Sequence, residues 1–177
     1  MSGGSSTERS EYERDALEPQ PYLTTHRAQA ACSRELARLM DEVIARVHAL
    51  RARGIEDKAV VRQAPDRCIV QLGPVALTLA WLRGAMESIA DGELLVIVWR
   101  GMVAPAMHYQ PERAQSGAGL HAATSLWEQV FVPAGQSEAD WNWRVAKSDS
   151  DRCSSTELAE RCVEQLGLAH AKFSAAS

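Results

Sequence analysis

The stretch 104–124 holds the side chains best suited to chemistry: His108, Tyr109, Glu112 and His121, set among Pro105, Pro111, Gly117 and Gly119. Long internal loops in compact domains usually either carry function or lack order, so a ligand site, if there is one, is expected here. Two imidazoles and a carboxylate can offer nitrogen and oxygen to a divalent metal. The spacing of His108, Glu112 and His121 matches no recognised ligand pattern, however, and no metal is expected. Ser116 lacks the preceding glycine of a G-x-S-x-G elbow, so pairing it with His108 or His121 would fall to tertiary structure alone. Gly117-Ala118-Gly119-Leu120-His121-Ala122 carries the letters of the dinucleotide pattern G-x-G-x-x-G/A. That pattern binds pyrophosphate only as a strand-to-helix turn, whereas here Gln115-Ser116 precedes it and a strand-like run follows. No catalytic residue and no cofactor are therefore expected, and His108, Tyr109, Glu112 and His121 stand as candidate ligand-binding residues at the mouth of a pocket between a sheet and this loop.

The elements that would position such a pocket are organised around Leu94 to Val103, the most apolar run of the chain. Val96, Ile97, Val98 and Val103 are β-branched, Trp99 is aromatic, and the run starts after Asp91-Gly92, which reads as a strand. Even and odd positions are equally apolar up to Arg100, so this strand is expected to be central and covered on both faces. Two alternating runs, Arg67 to Leu72 and Val75 to Leu82, flank Gly73-Pro74 and predict a hairpin. Leu126 to Val132 and Trp141 to Val145, joined by a Pro133-Ala134-Gly135 turn, predict a second. In its first strand Trp127 and Phe131 are expected on one face, and Leu126, Val130 and Val132 on the other. Ala59 to Gln63 fits strand and helix equally.

A long helix is expected from Thr25 to Arg53, ended by Gly54. Leu36, Met40, Val43, Val47 and Leu50 lie on one stripe, suited to packing on the sheet or, by its heptad spacing, to a homodimer seam. Its other face carries Arg27, Arg34, Arg38, Arg46, Arg51 and Arg53 against Glu35, Asp41 and Glu42, and reads as solvated. Ser154-Ser155-Thr156-Glu157 has the capping-box pattern and announces a closing helix with Leu158, Cys162, Val163, Leu166, Ala169 and Phe173 on its apolar stripe. The expected fold is α+β: about five antiparallel strands, with an N-terminal long helix and a C-terminal helix packed on them. Residues 1–23, polar and interrupted by Pro19 and Pro21, read as a disordered tail, and 24–177 as a single domain.

The chain has 177 residues and a formal charge of -4. That balance gives no electrostatic footprint for nucleic acid or an anionic membrane, which leaves protein or small-molecule partners. No apolar run approaches the about 20 residues of a membrane span, and the N-terminus lacks the apolar region of a secretory signal, so a cytoplasmic location is expected. Cys32, Cys68, Cys153 and Cys162 are scattered and expected to be reduced and buried. The helix, sheet and helix order, with small size and acidic charge, resembles that of secretion chaperones and other small adaptor proteins, a likeness of element order alone. The expected function is a noncatalytic interaction protein that self-associates, with Leu36, Met40, Val43, Trp141 and Trp143 as interaction residues. The alternative is a small-molecule binder or enzyme using the 104–124 loop.

Overall fold

A computed structural model describes residues 21–83, 88–103 and 123–174. Helix α1 (His26–Leu50) is followed by strands β1 (Val60–Ala64), β2 (Arg67–Leu72), β3 (Val75–Leu82), β4 (Glu93–Arg100), β5 (Thr124–Ala134), β6 (Asn142–Val145) and β7 (Arg152–Cys153), then helix α2 (Ser155–Ser174). The fold is α+β, and the described sheet has seven strands rather than about five. Each strand pairs antiparallel with its neighbour in sequence, so the sheet is a meander in the order β1-β2-β3-β4-β5-β6-β7. The additions are β1, where the sequence was ambiguous, and the two-residue β7. Residues 1–20 of the expected tail lie outside the described residues; Leu23, near its end, is buried in the core.

Strand β4 is central and dry on both sides. Leu94, Val96 and Val98 join the helix-side core, while Leu95 and Ile97 are buried on the opposite face. That second face also buries Ile69, Ala76 and Ala80, and there the Trp99 indole Nε1 donates to Thr78 Oγ1 at 3.1 Å. Between β2 and β3, Gly73 turns the chain at φ +53°, as the Gly73-Pro74 pair predicted. Gln71 ties this end of the sheet together. Its amide nitrogen reaches the carbonyls of Gly73, Val75 and Gly101 at 2.9 to 3.1 Å, and its Oε1 accepts from the backbone N–H of Val103.

Both helices lie on the same face of the sheet and on each other. Helix α1 is capped by Thr25, whose Oγ1 accepts from the Ala28 N–H at 3.2 Å. It stops at Leu50, three residues short of the expected end, and Arg51–Arg53 form a single 3-10 turn closed by Gly54 at φ +92°. Helix α2 begins with the expected capping box: the Ser154 N–H donates to Glu157 Oε2 at 2.8 Å, and the Glu157 N–H donates to Ser154 Oγ at 3.2 Å. The Ser154 N–H, together with the Ser154 hydroxyl donating to the same oxygen at 2.9 Å, holds the Glu157 carboxyl below its usual range.

The helices are also tied to the sheet by a buried polar relay. The indole Nε1 of Trp143 donates to Ser155 Oγ at 3.0 Å, and that hydroxyl donates to Glu35 Oε2 at 2.6 Å. Trp143 in β6, Ser155 in α2 and Glu35 in α1 thus share one hydroxyl. Around it, Trp143 packs edge-on against Trp81 (6.1 Å between centroids) and Trp141 (5.7 Å). Gly92 completes this cluster, because a Cβ there would fall 2.3 Å from the Trp81 ring.

Two substitutions test this arrangement by chemical denaturation. Ser155→Ala leaves the buried Trp143 N–H unpaired and is expected to cost about 1–3 kcal/mol. Gly92→Ala overpacks the Trp81 ring and is expected to cost a similar ~1–3 kcal/mol. A change below half a kcal/mol in either would show that the relay or the close approach is not used in solution.

Candidate functional site

The candidate ligand residues His108, Tyr109, Glu112 and His121, together with Ser116 and the Gly117–Ala122 pattern, lie outside the described residues. The remaining candidates are placed. Leu36, Met40 and Val43 are buried between α1 and the sheet, so their stripe is a core face and offers no free seam on the folded chain. Trp143 is fully buried and Trp141 half-buried, so this pair is part of the aromatic core and not an open platform. The arginine face of α1 is solvated as expected. Arg46 pairs with Glu42 and Arg38 with Glu35 along the helix, and Arg34 reaches Glu138 in the turn before β6.

One cluster combines histidine, aspartate and serine: His170 in α2, Asp57 in the link before β1, and Ser174 at the end of α2. His170 is buried. Its Nε2 lies 2.7 Å from Asp57 Oδ2 and 3.0 Å from Ser174 Oγ. A hydrolytic relay needs the carboxylate on one ring nitrogen and the hydroxyl on the other. Here both share Nε2, so the imidazole cannot take a proton from Ser174 through the nitrogen it offers to Asp57. The cluster works instead as a latch from α2 to the link before β1. Asp57 is further boxed by Gly73, where a Cβ would lie 2.3 Å from its Oδ2. No spacing signal reveals the contact, since Asp57 and His170 are 113 residues apart. Among the described residues no group of three or more His, Cys, Asp or Glu side chains is placed to hold a metal ion.

Among the described residues the outer edge of β5 is left open over part of its length. Strand β6 covers only Phe131 to Ala134, and the Ala146 N–H extends that cover by one bond, to the Val130 carbonyl at 2.9 Å. Among the described residues no strand lies outside Thr124 to Gln129. Backbone groups alternate along a strand, so Glu128, two residues before Val130, turns its N–H and C=O to this open side. Between Val98 and Trp99 the β4–β5 register slips by one residue: Val98 faces Trp127, but Trp99 faces Ser125. The extra residue is Leu126, and the bulge brings it beside Trp127 on the helix side. The sequence alternation had placed it on the opposite face.

Leu126 and Trp127, with Val98, Gln165, Leu168, Ala169, Lys172 and Phe173, line a cavity of about 200 Å³ between β5 and α2. Its rim is apolar and open: Leu168 is 60 % exposed and Leu126 38 %. At the Thr124 end the Arg100 guanidinium sits 4.6 Å over the Phe173 ring, and Lys172 lies 5.5 Å from the same ring. Neither cation is paired with a carboxylate among the described residues. Sequence reasoning missed this groove because the bulge hides it.

No protein family, curated protein or solved structure matches this chain. Among the described residues no helix is long and apolar enough to cross a membrane.

All four cysteines are buried and unpaired. Burial pushes the Cys32 thiol up to about 12 and those of Cys68 and Cys153 to about 11, and it raises Cys162 as well. Since the thiolate is the nucleophile, Ellman's reagent at pH 8 should find none of the four in the native protein and all four after unfolding. Unfolded thiols ionise near 9.0, before the folded ones. The stability linked to them is therefore fully present below that pH and is lost as pH rises toward 11 and 12. A urea midpoint that holds steady from pH 8 to about pH 11, or a native thiol that reacts rapidly, would contradict this burial.

Proposed function

We propose that this chain is a noncatalytic protein-interaction module, adaptor- or chaperone-like, that works in the cytoplasm and binds a partner or its own copy by strand addition. The observation that carries the reading is the open edge of β5 over Thr124 to Gln129, bordered by the exposed Leu126 and Leu168. Unpaired backbone groups on a sheet edge are a template for another strand, and an apolar groove beside them supplies the desolvation that hydrogen bonds alone do not. Two copies meeting at β5 about a two-fold axis would form an isologous dimer and continue the sheet. The four buried, unpaired cysteines agree with a reducing compartment.

Proline at Glu128 removes the open-edge donor while leaving the β4–β5 ladder intact, because that N–H points away from β4. If the edge takes a second copy, sedimentation of the full chain shows a dimer that Glu128→Pro converts to monomer. A photo-activated cross-linker at position 128 should trap protein in cells, and one at Arg38 on the solvated face of α1 should not. A chain that stays monomeric, and whose 128 cross-linker traps no more protein than the one at 38, would overturn the reading.

A further inference from the structure

We infer that the β5 groove takes an extended peptide segment in which an apolar residue is followed, toward the C-terminus, by carboxylates. The inference rests on the strand-addition reading and names its occupant. A strand that pairs antiparallel with β5 ends, at its own C-terminal side, beside Thr124. Thr124 pairs with Arg100, and Arg100 lies over Phe173 next to Lys172, so two cations that pair with no carboxylate among the described residues stand where that strand ends. A parallel strand would bring its N-terminal side there instead and forgo that match. One residue or so earlier, the helix-side position of the added strand falls over the cavity lined by Val98, Leu126, Trp127, Leu168 and Phe173, which accepts an aliphatic side chain. From Gln165 to Lys172 the groove follows two turns of α2, about 10 Å, which an extended segment of three or four residues spans. The Phe173 ring serves both halves: its edge lines the cavity and its face holds the Arg100 guanidinium in place without neutralising it.

The probe is the labelled peptide acetyl-Thr-Val-Thr-Val-Leu-Glu-Glu-amide, titrated with the full chain and read by fluorescence anisotropy at low salt. Saturable binding is expected, weakened at least about tenfold by Arg100→Glu, by Leu168→Asp and by replacing the two glutamates of the peptide with lysines. Both altered side chains are exposed, so circular dichroism should show native folds. Failure of the wild-type chain to bind, or equal binding by wild type and variants, would overturn the assignment. If the 128 cross-linker traps protein while the peptide does not bind, the edge is used but its occupant differs, a second copy being the next candidate. If both fail, the strand-addition reading falls with the inference.

Discussion

Burying β4 on both faces is the constraint from which the rest of the architecture follows. Five consecutive residues, Leu94 to Val98, are out of water, alternately on the helix side of the sheet and on its opposite face. At about 25 cal/mol per Å² such a strand contributes heavily to stability, but only if both sides are covered and every backbone group is paired. Strands β3 and β5 meet the second requirement along nearly its whole length. A central strand served on both sides by its chain neighbours makes a meander, and a meander of seven strands ends in exposed edges. Among the described residues, strand edges without a paired neighbour are therefore left at β1, at β7 and along the uncovered half of β5.

The helix layer is held less by area alone than by where its polar groups meet. Ser155 stands at the first turn of α2, within reach of a β6 tryptophan and an α1 carboxylate, and one hydroxyl serves both. The Trp143 N–H, buried in a dry core, finds its acceptor in a serine that stands at a helix start. At the other end of α2, His170 and Asp57 tie the helix to the link before β1. Fixed at both ends, α2 presents Leu168 outward between those ties, which explains how so exposed a leucine stays on a rigid element.

How much of this was legible in the sequence depended on whether a residue's role was set by its neighbours in the chain. Strand β4, the Gly73-Pro74 hairpin, the α2 capping box and the stripe of Leu36, Met40 and Val43 were readable, because local period and turn chemistry determine them. Strand β1 was ambiguous because all of its residues are exposed or half-buried, so pairing with β2, not burial, makes it a strand. Strand β7 is two residues long and has no periodicity to read. Pro133 looked like a turn residue, yet it pairs with Trp143 inside β5. Its missing N–H points past Leu94, the last β4 residue paired with β5, and so removes no ladder bond. The Asp57–His170 latch joins distant residues and left no local trace. The groove was invisible for a sharper reason: one inserted residue reverses the alternation on which the face assignment of Leu126 depended.

That inserted residue links the fold to the site. Without the bulge, Leu126 would share the face of Val130, and of the apolar residues in the uncovered half of β5 only Trp127 would stand on the helix side. With it, Leu126 and Trp127 stand together over Leu168 and Phe173, and the apolar wall continues to the strand's open edge. A bulge gives up ladder pairing, and Leu126 and Leu168 leave 38 % and 60 % of their surface in water. The bulge and Leu126 lie on the half of β5 that β6 leaves uncovered, at the end where Arg100 and Lys172 share one aromatic ring and, among the described residues, no carboxylate. Open backbone, an apolar wall and unpaired positive charge each have an ordinary explanation when they occur apart. Within one stretch of edge they are the three complements an acidic, apolar-anchored strand requires, and this is why the β5 groove, rather than the sheet edge at β1, is the surface proposed for binding.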